Sequence, residues 1–216
     1  MKQYDTIPYY GDHIGMDIIA FYKIDGSNLR FEYSKKRGFY KFGTRRILID
    51  SSTENYGPAV DLFMEKYSND LDKIFRSKEY RDILSIVCFA EYIGKKSAFG
   101  KHDFENDTFD IILFDIEQYK KGFIPPKQFI NDFGHLGIPR IIYEGNLNKE
   151  FIYSVKRNEF DLQEGVVCKG KKPMGKKENE KIFYCKIKTD DWFNRLKTKD
   201  PYLYEQEIKE LKHIIL

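Results

Sequence analysis

A succession of short runs rich in aromatic and β-branched residues constrains the fold more than any other feature of this chain. They are DIIAFYKI from Asp17, NLRFEYSK from Asn28, GFYKFGTR from Gly38, LSIVCFAEYI from Leu84, FDIILFDIEQ from Phe109, GVVCKG from Gly165 and KIFYCKIK from Lys181. Runs of this length and composition read as strands. Lys36-Arg37-Gly38 joins the second to the third as a hairpin with glycine at the turn. One long helical pattern starts after Gly57-Pro58, with Val60, Phe63, Tyr67, Leu71, Ile74 and Phe75 at three- and four-residue steps. A shorter helix is expected after Pro125-Pro126, stopping near Gly134, and two more from about Asp190 to Leu216, broken at Asp200-Pro201. The lysine-rich stretch from Lys169 to Lys181 reads as a loop between two strands. Strands predominate, so the expected class is α+β, with mostly antiparallel sheets and helices packed outside them.

Composition enters as a boundary. At 41% hydrophobic and 16% aromatic, the 216 residues can bury a proper core, which excludes a disordered chain. The net charge of +3 neither requires nor excludes nucleic acid, so local clusters must decide. Lys35-Lys36-Arg37, Lys95-Lys96 and the Lys169–Lys181 stretch could neutralise phosphates, although each alone is equally a solvated surface. The N-terminus has no apolar core region and no run is long enough to span a membrane, so a cytoplasmic protein is expected. Cys88, Cys168 and Cys185 sit singly in strand-like runs, as small buried hydrophobes would. The histidines at 13, 102, 135 and 213 lack metal-ligand spacing, so oxygens are expected to hold any metal.

The chemistry centres on Lys23-Ile24-Asp25-Gly26-Ser27-Asn28. A lysine closing a strand before an acidic residue and a glycine presents its amine at a pocket rim. Only neutral lysine attacks phosphorus, and burial or neighbouring cations would release it from its ammonium form. Alone, this segment is a weak signal, and a turn between two strands with a surface lysine is the readier reading. In the strand IFYCKIKT, alternation sends Phe183, Cys185 and Ile187 to one face and Tyr184, Lys186 and Lys188 to the other. Two lysines on a pocket face would stabilise a triphosphate and depress the pKa of a nearby Lys23. The plain alternative is a solvent-facing lysine stripe on an edge strand.

Taken in order, KIDG at Lys23, Thr44-Arg45-Arg46, the Glu91 carboxylate in FAEYIG, Phe114-Asp115, EGVV from Glu164 and KIK from Lys186 resemble the covalent nucleotidyltransferases: DNA ligases, RNA ligases and mRNA capping enzymes. The resemblance spans Lys23 to Lys188 and implies the ligase-type, ATP-grasp-like nucleotidyltransferase domain. It implies Lys23 as the nucleophile, within a nucleotide-binding motif that includes Asp25, Gly26 and Asn28. Lys186 and Lys188 take the role of α-phosphate contacts, and Glu164 that of the carboxylate near the metal and the nucleophile. Glu91 would receive the ribose hydroxyl, and Arg45 (or Arg46) would contact ribose or phosphate. Phe114 would stack on the purine, with Val167 as the opposite apolar wall. By alternation Asp115 faces away from Phe114 and serves the fold.

Within that superfamily, Gly-Ser-Asn after the nucleophile is closer to RNA ligases than the Gly-x-Arg of DNA ligases and capping enzymes, with Asn28 the discriminating residue. Residues 189–216 read as helices and are too few for an OB barrel, so no OB fold is expected. The expected organisation is an adenylylation domain over 1–189 and a short helical extension over 190–216. These readings imply an ATP-dependent RNA ligase using Mg²⁺ or Mn²⁺ on RNA with 5′-phosphate and 3′-hydroxyl ends, with a helper protein as a candidate source of RNA grip. Tyr22, where some relatives carry a purine-reading carboxylate, leaves GTP and a capping-type guanylyltransferase open as the alternative. A DNA ligase or a silent RNA-end-binding module are the remaining readings.

Overall fold

A computed structural model describes residues 2–94, 109–173, 180–212 and 214. Lys95-Lys96 and the centre of the lysine-rich stretch, 174–179, lie outside the described residues. The remaining parts divide into two compact units.

The first unit holds residues up to Asp5 and most of the chain from Gly26 to Ile138. Its strands are β1 (Ser27–Ser34), β2 (Gly38–Thr44), β3 (Leu48–Ile49), β4 (Ile86–Ile93), β5 (Asp110–Gln118) and β6 (Gly122–Phe123). They form one antiparallel sheet in the order β3-β2-β1-β4-β5-β6. The expected hairpin is present, with Gly38 at φ +66° in its turn. The helix after Gly57-Pro58 runs from Gly57 to Arg76 (α1), and the one at Pro126 runs to Phe133 (α2). Val60, Phe63, Tyr67, Leu71 and Phe75 of α1 are buried against Leu29, Phe31 and Tyr33 of β1. Phe31 and Phe63 stack with ring centres 3.7 Å apart. The hydrophobic face of one sheet and the apolar stripe of one helix thus supply most of this core.

The second unit holds residues 6–25 and 139–216. Its strands are β7 (Asp17–Lys23), β8 (Ile141–Asn146), β9 (Gly165–Pro173) and β10 (Glu180–Lys188). They form a second antiparallel sheet in the order β10-β9-β7-β8. The helices are α3 (Lys149–Lys156), α4 (Asp190–Lys199) and α5 (Pro201–Leu211). Phe151, Ile152 and Val155 of α3 pack with Val166, Cys168, Cys185 and Ile187 in a separate core. All three cysteines are buried thiols.

Besides the two-residue strands β3 and β6, two longer elements escaped the sequence reading, β8 and α3. The second was legible in retrospect: Asn148 caps it by accepting a hydrogen bond from the Phe151 N–H at 2.8 Å. The stretch expected as a loop after Lys169 is in large part strand, because β9 runs on to Pro173 and β10 begins at Glu180. Cross-strand pairing continues through Lys172 and Lys181, so the main-chain ladder overrides the polar side chains. The breaks at Asp200-Pro201 are as expected: Asp200 ends α4 and caps α5, its carboxylate accepting from the Leu203 N–H at 2.9 Å. No described helix is long and apolar enough to cross a membrane.

Candidate active site

In the second unit the strand register builds the chemistry. Gly165 of β9 lies opposite Lys23 of β7 on one side and Lys188 of β10 on the other. The next row along the same face is Phe21, Val167 and Lys186. Phe183, Cys185 and Ile187 point the opposite way, into the core, as alternation required. Tyr22 also packs on that core side, its hydroxyl accepting from the Gln163 N–H.

Glu164, immediately before Gly165, sets its carboxylate between two ammonium groups. Lys23 Nζ donates to Oε2 at 2.6 Å, and Lys188 Nζ lies 3.0 Å from Oε1. Glu164 is only 4% exposed. Burial alone would raise its pKa, but Lys23 and Lys188 outweigh burial and hold it below the usual carboxylate range. For Lys188 burial wins: with Lys23 and Lys186 adding to it, and Glu164 and Glu207 opposing, the ammonium titrates below its ordinary value.

Sequence reasoning missed the shell around the paired lysines. Lys186 Nζ lies 3.3 Å from Glu207 and 3.2 Å from Glu210, and Lys188 Nζ lies 3.2 Å from Glu207. Lys186 sits 4.4 Å from the Tyr9 ring centre and Lys188 3.5 Å from that of Trp192, both within cation–π range. Tyr9 donates its hydroxyl proton to Glu207, while the residue before it, Pro8, accepts the Lys186 N–H at 2.8 Å. The only signal in the sequence was an acidic pair three residues apart on a helix, which any solvated helix face also shows.

Gly165 is required by close approach. A Cβ there would lie 2.0 Å from the Ile187 carbonyl oxygen and 2.8 Å from Lys188 Cα. Gly165→Ala must push β10 away or rotate the Glu164 carboxylate, so a stability loss of about 1–3 kcal/mol is expected. Urea unfolding checks this, and a midpoint equal to that of the unsubstituted protein would show that the strand absorbs the methyl group.

In the first unit Asn28 and Glu91 are direct cross-strand partners on the sheet face opposite the α1 core. Gly26 lies beside them, and a Cβ there would approach the Tyr92 carbonyl to 2.5 Å and Glu91 Cγ to 3.0 Å. This glycine therefore serves close approach to β4. Phe114 is half-buried, 5.1 Å edge-on from the Tyr4 ring. One expectation is corrected here: Asp115 does not face away from Phe114. Phe89 pairs with Asp115 and Ala90 with Leu113, so Phe114 is the extra residue of a β-bulge and alternation slips by one. Tyr4 then touches both, donating its hydroxyl to the buried Asp115 at 2.8 Å. Arg45 and Arg46 occupy an exposed turn closed by the Thr44 hydroxyl, which accepts from the N–H groups of Arg46 and Ile47. The Arg45 carbonyl accepts from Gln3 at 2.8 Å. In the second unit, Asp25 is buried and Val167 half-buried.

Among the described residues, no cluster of three or more His, Cys, Asp or Glu is placed to hold a metal ion. Both Glu164 oxygens are already engaged by ammonium groups, so this carboxylate can offer a cation one oxygen at most without losing both partners. That donor set fits a hard cation arriving with phosphate oxygens and water better than a preformed cage.

A mixed fold of antiparallel sheets and helices of this kind has solved counterparts. The Naegleria gruberi RNA ligase with PPi superposes with a TM-score of 0.64 at 15% identity, over 92% of this chain and 58% of that one. A variant of that ligase with ATP and Mn gives 0.63 at 16% identity, over 91% and 58%. Another, with AMP and Mn, gives 0.61 at 14%, over 89% and 57%. The chain therefore spans under three fifths of the length of these proteins. The shared architecture is the RNA ligase nucleotidyltransferase fold, without a closed barrel among the described residues. No curated protein matches the sequence. The profile of the RNA ligase family matches residues 16–188, and the chain belongs to that family.

Proposed function

We propose that this chain is an ATP-dependent RNA ligase that joins a 5′-phosphate to a 3′-hydroxyl through a lysyl-AMP intermediate. The observation that carries the reading is the row Lys23–Gly165–Lys188, with Glu164 between the two amines and Lys186 on the same face. The Naegleria ligase structures with ATP, AMP and PPi support the nucleotide and its leaving group.

The residues divide the work as follows. Lys23, as the neutral amine, attacks the α-phosphorus; a P–N bond forms, the bond to the bridging oxygen breaks, and pyrophosphate leaves. Glu164, 2.6 Å away, holds the amine in place and faces the proton it must shed. Lys186 and Lys188 stabilise the charge that builds on the phosphate oxygens. The AMP then passes to the RNA 5′-phosphate, and the 3′-hydroxyl displaces it to form the phosphodiester. Mg²⁺ or Mn²⁺, held by Glu164 and the nucleotide's own oxygens, would neutralise phosphate charge. Asp25, Gly26 and Asn28 shape the segment after the nucleophile. Glu91 takes the ribose hydroxyl, Arg45 ribose or phosphate, and Phe114 and Val167 the purine. On this reading residues 1–189 are the adenylylation domain and 190–216 a short helical extension. RNA with the two matching ends is the partner, and a helper protein is a candidate for added grip.

Incubating the protein with labelled ATP or GTP and Mg²⁺ tests the proposal. The expected product is an acid-labile AMP adduct that chases into ligated RNA. A GMP adduct would point to a capping-type enzyme, and no adduct with either nucleotide would overturn the enzymatic reading.

A further inference from the structure

We propose that α5 is a built-in phosphate mimic: Glu207 and Glu210 hold the paired lysines where nucleotide phosphates bind, so the helix and the nucleotide compete. The inference rests on the proposed function, since it takes Lys186 and Lys188 to be the phosphate contacts.

Glu207 and Glu210 are three residues apart on one helix and so share a face. That face meets the lysines: Glu207 reaches both Lys186 and Lys188, and Glu210 reaches Lys186, all at 3.2–3.3 Å. Tyr9 fixes Glu207 by donating its hydroxyl proton to it. The geometry is that of phosphate oxygens on ammonium donors, supplied by the chain's own carboxylates.

Charge makes the consequence specific. Lys23, Lys186 and Lys188 face Glu164, Glu207 and Glu210, so the three cations of this cluster are matched by three anions. A matched cluster offers an incoming triphosphate little net attraction, whereas withdrawal of the two α5 carboxylates would leave an excess of two positive charges. The helix is also suited to leaving. It contributes no fully buried residue, and Glu210 is half-exposed in its ion pair. The Glu210 pair is therefore worth little, whereas Glu207, 14% exposed against lysines that are 8% and 5% exposed, yields only to a competitor whose phosphate oxygens take over the same ammonium groups. A ligand can shift such an equilibrium only by binding the two states differently, and phosphates that need the same ammonium groups do so by direct exclusion.

Single-turnover adduct formation by the protein over a range of ATP concentrations, at fixed Mg²⁺, tests the proposal. The variants are Glu207→Gln, Glu210→Gln, the two together, and Tyr9→Phe, which keeps the ring beside Lys186 but releases Glu207. The double variant is expected to reach half its maximal rate at about tenfold less ATP than the unsubstituted protein, a factor ordinary for linked equilibria. Tyr9→Phe should move the same way by a smaller factor. An ATP requirement that is unchanged or higher overturns the mimicry and makes Glu207 a support for the lysines. Should the unsubstituted protein form no adduct with any nucleotide, the proposed function fails separately. Inorganic tripolyphosphate binding, followed by calorimetry, then decides the mimicry. Tighter binding by the double variant upholds it; equal, weaker or absent binding in both overturns it.

Discussion

Lys23→Arg is expected to keep the fold and to form no covalent nucleotide adduct, a loss on the order of a thousandfold or more. Arginine retains a cation that can pair with Glu164, and the partly exposed end of β7 has room for it: the Lys23 side chain is 22% exposed. What it cannot do is deprotonate, because guanidinium stays charged in proteins, and so it offers phosphorus no lone pair. The substitution separates two roles that Lys23→Ala would remove together. If Lys23 served only to complete the charge cluster, Lys23→Arg would bind nucleotide and carry on. Adduct formation measured with labelled ATP, beside a thermal melt to show that the protein is folded, decides between them. A labelled Lys23→Arg protein would move the nucleophile elsewhere in the chain.

The sequence made the candidate lysines legible and left their surroundings obscure, for a physical reason. Strand alternation is local, so the run from Phe183 to Lys188 announced which side chains enter the core and which face away, and the structure agrees. The helix α1 was equally plain, since its apolar stripe needs no partner to be recognised. Cross-strand register is not local. That Gly165 falls between Lys23 and Lys188, and that Glu164 thereby reaches both amines, depends on how β7 aligns with the β9–β10 pair that comes far later in the chain. The bulge at Phe114 is the same lesson in miniature: one unpaired residue reverses an alternation argument for Asp115. The glutamates of α5 were hidden more deeply. Their residue types and spacing match any exposed helix, and only the three-dimensional return of the C-terminal segment to β10 gives them partners. Motif order therefore led to the candidate residues, and tertiary contact alone identified what holds them.

Glu164 is where stability and chemistry meet. Glu164→Ala removes the carboxylate shared by two amines and leaves Lys188, 5% exposed, with Glu207 as its remaining carboxylate. Breaking a buried ion pair from one side costs about 3–5 kcal/mol, and the lower end is expected because Lys23 reaches solvent. Glu164→Gln preserves shape, but its amide can accept from only one of the two lysines and must turn N–H donors toward the other. It should lose less stability than the alanine variant and still cut the adduct rate by roughly a hundredfold, as positioning defects do. The pH dependence supplies an independent readout. Because the lysines hold the Glu164 pKa below the usual range, the unfolded chain takes up this proton first as pH falls. Its contribution is thus complete above the unfolded carboxylate value of about 4.3 and disappears as the pH drops through the lower folded value. Urea midpoints followed downward from neutral pH should fall more steeply below about pH 4.3 in the unsubstituted protein than in Glu164→Gln. Parallel curves would show that Glu164 titrates alike in both states, and the tight triad of Lys23, Glu164 and Lys188 would then contribute nothing to folding.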